Sequence, residues 1–322
     1  MRNPVHPQTW ASLSVSECES AEALGLDTVA FNNLIYRFSE FLLNRGFRMI
    51  FGHDWRADGV MEIVAKLAET RTSNFQEKLE DGLPRMLNIV PQAAEGLSEC
   101  SVRAMEGGRG LLEVVSLYSL WSDNSNKVSP RFRNLLGRGE LEETTSPTML
   151  TDPVSRNWAL RLALTEIGQP GIRVCLGGKT QGYSGAYAGI AEEAFFACKA
   201  NLPLYLVAGF GGTTAEVAAC FSNHPEQLFR SRNSPASLKF DAGRKKPENT
   251  TLAKKLKMPL DDLIPWFKNY SIKMLSKNNG LSPKDNEKLF KTTDVEVVLH
   301  LLEKGFGSLE DSGKLRTIVT VR

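Results

Sequence analysis

No run of apolar residues in this 322-residue chain approaches the ~18 consecutive positions that a membrane-spanning helix requires. The first twenty residues carry Glu17 and Glu19 without an apolar stretch, so they do not read as a secretory leader, and a cytoplasmic location is expected. Cysteine is sparse and odd in number: Cys18, Cys100, Cys175, Cys198 and Cys220 contain no CxxC pair. That argues against a disulfide framework or a cysteine zinc site and for reduced, mainly core thiols. Histidine is scarcer still. His6, His53, His224 and His300 stand far apart, so no metal site is expected. An excess of one charge is also missing, since the formal net charge is +2. That balance hides an asymmetry: Ser231 to Arg322 holds 18 Lys and Arg against 11 Asp and Glu, leaving 21 against 26 before it. The basic clusters Arg244-Lys245-Lys246 and Lys254-Lys255-Leu256-Lys257 invite a nucleic-acid reading. The interspersed acids and the absence of a zinc-finger or helix-turn-helix pattern favour a solvated face or a contact between copies. A homo-oligomer is therefore expected, and neither a nucleic acid nor a membrane is an expected partner.

What is present is a globular composition, 42% hydrophobic and 24% charged, in a chain long enough to bury a full core. Short β-rich runs alternate with helical periodicity, the pattern of an α/β fold with a doubly wound, mainly parallel sheet covered on both faces. Strands are expected at Thr9 to Ser16, Arg48 to Phe51, Arg85 to Val90, Leu111 to Tyr118, Arg173 to Leu176 and Pro203 to Val207. Helices are expected at Thr28 to Asn44, Met61 to Leu67, Val154 to Ile167, Gly189 to Ala200 and Thr213 to Phe221. Trp121 to Thr151 reads as a polar excursion interrupted by prolines, and Ser231 to Thr251 as a linker or loop. Beyond it come helices near Pro259 to Ser276 and Asp294 to Glu303, and a last strand at Thr317 to Val321.

Ligands collect at the carboxyl ends of parallel strands, where helix N-termini present unpaired N–H groups and a favourable dipole to anions. Four segments fall there. Ser14-Val15-Ser16 closes the first strand. Gly52-His53-Asp54-Trp55-Arg56-Ala57-Asp58-Gly59 follows the second. Gly177-Gly178-Lys179-Thr180-Gln181-Gly182-Tyr183-Ser184-Gly185 runs on through Gly189 to Glu192-Glu193, and Gly209-Phe210-Gly211-Gly212 follows the last. A single glycine loop is as easily a tight turn, but three at neighbouring strand ends make a nucleotide or phosphate cradle. The Gly182, Gly185, Gly189 spacing matches neither the dinucleotide fingerprint nor a Walker loop. Lys179 and Arg56 would supply charge to a phosphate, Asp54 would cap its turn, and Tyr183 would offer an aromatic contact. Glu192 or Glu193 would accept ribose hydroxyls or assist departure of a base, although acids in a first helical turn also suit the dipole.

In this order, Ser-x-Ser, Gly-His-Asp-Trp-Arg-x-x-Gly-Val-Met, Leu-Gly-Gly-Lys with Gly-Tyr-x-Gly, Gly-Ile-x-Glu-Glu, Pro-Leu-Tyr-Leu and Gly-Phe-Gly-Gly, the chain resembles the SLOG superfamily. The closer likeness is to its prokaryotic branch similar to the sensor domain of TRP melastatin channels. The resemblance covers about residues 8 to 222, and more loosely Asn279-Gly280-Leu281 and Asn286-x-x-Leu289-Phe290. It implies a Rossmann-like, nucleotide-binding region over 1–230, followed by a basic, mostly helical extension over 231–322 that packs on it. It also implies an NAD- or ADP-ribose-like ligand, with no cofactor required. The superfamily includes the Lonely guy phosphoribohydrolases, whose Pro-Gly-Gly-x-Gly-Thr-x-x-Glu loop is similar in position to Gly177 through Glu193. By that likeness Glu192, three residues after Gly189, and Arg161, with Arg156 as an equal match, would be the catalytic pair of an N-glycosidase. This chain departs from that loop by the insertion Lys179 to Ala188, by Leu176 in place of proline and by Ile190 in place of threonine. Two readings follow, a nucleotide sensor and a nucleotide N-glycosidase.

Overall fold

The structure is a computed structural model that describes residues 9–16, 27–52, 59–71, 84–91, 111–120, 150–169, 171–223, 245–248, 250–259 and 263–315. Among the described residues six strands form one sheet: β1 (Trp10–Ser16), β2 (Arg48–Phe51), β3 (Met86–Val90), β4 (Leu112–Ser116), β5 (Gly171–Gly177) and β6 (Leu204–Val207). Their order is β4-β3-β2-β1-β5-β6 and every pairing is parallel. Nearly all strand residues are buried, as expected of a parallel sheet covered on both faces.

Helix α1 (Thr28–Asn44) starts where Asp27 accepts the Ala30 N–H at 2.7 Å, and Phe31, Leu34, Ile35, Phe38 and Leu42 form its buried stripe. With α2 (Val60–Arg71) it covers the face carrying Leu13, Val15, Val174 and Leu176. The opposite face is covered by α3 (Pro153–Ile167), α4 (Gly189–Lys199) and α5 (Gly212–Phe221). Pro153 opens α3 at its first turn, where Asp152 caps Ser155 and proline's missing N–H costs nothing. Strand β4 stops at Ser116, and Tyr118 belongs to a 3₁₀ turn over Leu117–Leu120.

Beyond residue 244 the described chain is helical: α6 (Thr250–Lys255), α7 (Leu263–Asn269), α8 (Ile272–Asn279), α9 (Pro283–Lys291) and α10 (Val295–Asp311). The single helix expected over Pro259 to Ser276 is divided, because Ser271 takes an extended backbone and caps Met274 to start α8. Helix α9 is an addition to the sequence reading. Its start is a capping box of Ser282 and Asp285 with Pro283 in the first turn. The extension contributes Leu252, Phe267 and Phe290 to one core cluster and Leu289, Val298 and Phe306 to the other. The polar excursion at 121–149, most of the linker at 231–251 and the strand expected at Thr317 to Val321 lie outside the described residues. Among the described residues no helix is long and apolar enough to cross a membrane.

Candidate functional site

Because all six strands are parallel, their carboxyl ends share one edge. The chain steps from β1 through β4 in one direction and then crosses to β5 on the other side of β1. The strand order reverses there, and an open α/β sheet forms its ligand crevice at such a point. Ser16 stands opposite Gly177 across it, and the Gly178 N–H donates to the Ser16 carbonyl at 2.9 Å. Gly178 has φ +99°, a conformation that side chains disfavour, and a Cβ there would lie 2.7 Å from Ile190 Cδ1. The loops after β5 and β6 are tied together: Thr213 donates its N–H to Gly178 at 2.9 Å and its hydroxyl to the Lys179 carbonyl at 2.7 Å.

Two helices begin at this crevice, α4 at Gly189 and α5 at Gly212, and neither has a side-chain cap. By contrast, α1, α3, α8, α9 and α10 are all capped by Asp or Ser. Helix N-termini leave N–H groups unpaired unless a cap, water or ligand accepts from them. In the first turn of α5 the buried Thr214 hydroxyl also finds no partner among the described residues.

Behind the crevice lies a buried charge cluster. Arg161 on α3 pairs with Glu192 on α4, and its Nε is 3.7 Å from Glu193. Arg173 on β5 donates to Glu193 at 2.8 Å, to Ser14 on β1 at 2.8 Å and to Thr165 on α3 at 3.2 Å. Glu192 is fully buried, and its other oxygen accepts the Tyr187 N–H at 2.8 Å. Burial pushes its carboxyl above the usual range, with Arg161 and the Tyr187 N–H pulling the other way. Both Glu192 oxygens are therefore engaged by protein donors. The Arg161 side chain keeps 12% of its surface exposed. Burial also pushes the Cys175 thiol up to about 12, which leaves it un-ionised and without nucleophilic character.

The sequence-derived residues divide into groups. Ser16, Gly177, Gly178, Lys179, Gly211 and Gly212 stand at the crevice, with Lys179 exposed. Gly182 lies exposed in the loop, whereas Tyr183 is buried. Ser14 is buried and serves Arg173. Four glycines have packing reasons. A Cβ on Gly52 would lie 2.3 Å from Leu164, and one on Gly209 would lie 1.9 Å from the Thr292 carbonyl. A Cβ on Gly185 would reach 2.6 Å from Arg161 Nη1, and one on Gly189 2.8 Å from Nη2, so these two make room for the guanidinium. Gly59 precedes α2. His53, Asp54 and Arg56, with Trp55 and Asp58, lie outside the described residues. Of the two arginines, Arg161 and not Arg156 builds the cluster. Both glutamates join it, so the choice between them resolves into two roles, Glu192 on Arg161 and Glu193 bridging Arg161 and Arg173. Arg173, Thr165, Tyr187 and Thr213 were not singled out from the sequence. An arginine inside the apolar strand Ile-Arg-Val-Cys-Leu is the signal that marks Arg173. Among the described residues no three His, Cys, Asp or Glu side chains gather as a metal would need.

A family model described as SLOG cluster2 matches residues 7–289. Neither the curated proteins nor the solved structures contain a match to this chain.

Proposed function

The chain belongs to the SLOG superfamily, in the group described as SLOG cluster2, and from that membership, which suggests a nucleotide-related function, we propose that it is a sensor-type protein. In this reading it recognises an NAD- or ADP-ribose-like nucleotide at the β1/β5 crevice. The observation that carries this is the pair of uncapped helices, α4 and α5, starting side by side at the strand-order reversal. Their N-terminal dipoles suit a pyrophosphate, Lys179 adds an exposed cation, and the open edge of Arg161 adds a planar donor.

The hydrolase alternative draws support from the Arg161–Glu192 pair. Against it, a carboxylate with no exposed surface and both oxygens engaged is held to organise Arg161 and the 185–189 loop, not to meet a departing base. General acid or base work requires hydrogen-bond reach to the reacting atom.

Calorimetry with ADP-ribose, NAD and purine nucleoside monophosphates, paired with chromatography of the mixtures, separates the two. Binding without product is expected, and Lys179→Ala should weaken it by about 1 to 3 kcal/mol, the scale of a hydrogen bond to a charged group. Product formation that falls at least ~100-fold in Glu192→Gln with affinity retained would favour the hydrolase, since acid–base assistance acts in the transition state. No binding of any of these nucleotides would overturn the proposal.

A further inference from the structure

Tyr187 sits in the loop between β5 and α4 with its side chain fully buried. Its backbone N–H donates to Glu192, the carboxylate paired with Arg161, while its phenol donates to the Pro259 carbonyl at 2.8 Å. The same loop is held by the extension at a second point. Lys245 donates its N–H to the Ala186 carbonyl at 2.9 Å and its ammonium to the Tyr183 carbonyl at 2.6 Å. Helix α3, which carries Arg161, is held at a third: the Trp158 indole N–H donates to the Leu256 carbonyl at 3.1 Å.

We infer that Tyr187 couples the candidate site to the C-terminal extension, so that a nucleotide at the crevice and the packing of residues 245–259 act on each other. The inference rests on the nucleotide-binding reading above. A ligand anion that draws Arg161 outward changes what Glu192 must balance, and Glu192 is bonded directly to the Tyr187 backbone. The ring and backbone of one buried residue move together, so a displaced Tyr187 leaves the Pro259 carbonyl without its donor. Coupling between two sites is reciprocal in binding free energy. A loosened extension must therefore weaken the ligand by the factor with which the ligand tightens the extension.

Hydrogen exchange read by mass spectrometry on the full chain, with and without ADP-ribose, tests this, because exchange reports local opening segment by segment. In the wild type, ADP-ribose should slow exchange at both 183–192 and 250–259. Tyr187→Phe should keep the first effect, lose the second and bind ADP-ribose roughly fivefold or more weakly. Lys245→Ala, at an exposed position, should shift the same way and serves if the buried substitution fails to fold. Tyr118→Phe removes a comparable phenol bond, to the Leu150 carbonyl, and should leave both effects in place. Without ligand, Tyr187→Phe should speed exchange at 188–192 as well as at 250–259. The coupling is overturned if ADP-ribose protects only the loop in the wild type, if Tyr187→Phe leaves the response at 250–259 intact, or if its ligand-free effect stays within the extension. If ADP-ribose protects neither segment in the wild type and calorimetry finds none of the tested nucleotides bound, the nucleotide reading falls, and the ligand-free comparison decides the coupling by itself.

Discussion

Arg161 shows how one side chain dictates its neighbours' identities. Its guanidinium lies against the backbone at Gly185 and Gly189, where any Cβ would come within 2.6 and 2.8 Å of its nitrogens. Gly185→Ala must therefore push the guanidinium off Glu192 or distort the loop. We expect a loss of about 1 to 3 kcal/mol, the usual cost of overpacking, read as a lower urea midpoint with unchanged slope. Glu192 makes a pH-dependent contribution. Burial raises its folded pKa, so between the unfolded value of about 4.3 and the raised folded value the native state holds more protons than the unfolded chain. Stability from this group accordingly falls as pH rises through that window. Chemical denaturation across pH should show this slope in the wild type and its loss in Glu192→Gln. An identical profile in both chains would contradict the assignment.

At the scale of elements, the extension closes the sheet. Among the described residues strand β6 pairs only with β5, and an open edge invites pairing with another chain. Asn279, fully buried at the end of α8, donates to the Leu204 carbonyl of β6 at 2.9 Å and to Asn286 of α9 at 2.8 Å. The Tyr205 phenol donates back to the Asn279 carbonyl at 2.7 Å. The Asn279-Gly280-Leu281 and Asn286 patch thus has a structural task in which Gly280, in the left-handed conformation, ends α8. Asn279→Ala takes the side-chain donor away from the Leu204 carbonyl and from Asn286 Oδ1 together. A loss of about 1 to 3 kcal/mol is expected, accompanied by greater self-association in light scattering as the edge is uncovered.

At the scale of the whole molecule, residues beyond 244 complete both core layers. Phe306 on α10 packs edge-on to Phe47 and Tyr205 at 5.2 and 5.3 Å. Arg45, the C-cap of α1, pairs with Glu303 and Glu310 at 2.9 and 2.7 Å. On the other face Leu252 and Phe267 join the cluster around Trp158. A chain ending at residue 244 would expose apolar surface on both faces and is expected to bind a hydrophobic dye and lose its cooperative transition. The intact chain should unfold in one calorimetric transition. Two separate transitions would show that residues 231–322 form a unit of their own.

Local pattern determined a good deal by itself. Helical period defines α1, buried β-rich runs define the strands, and strand–helix alternation defines the parallel class, because each depends on residues within a few positions of one another. The gathering of Ser16, Gly177 and Gly178 at one edge follows from the same parallel order. What tertiary structure decided is the reason for each residue. Gly52, Gly185, Gly189 and Gly209 look in sequence like approaches to a ligand, yet their missing Cβ atoms make room for Leu164, Arg161 and Thr292, partners as far as 112 residues away. Glu192 and Glu193 are adjacent in the chain but take different partners, Arg161 for one and Arg173 for the other in addition. Which arginine each meets is set by how α3, α4 and β5 stack, and no periodicity in the chain encodes that distance.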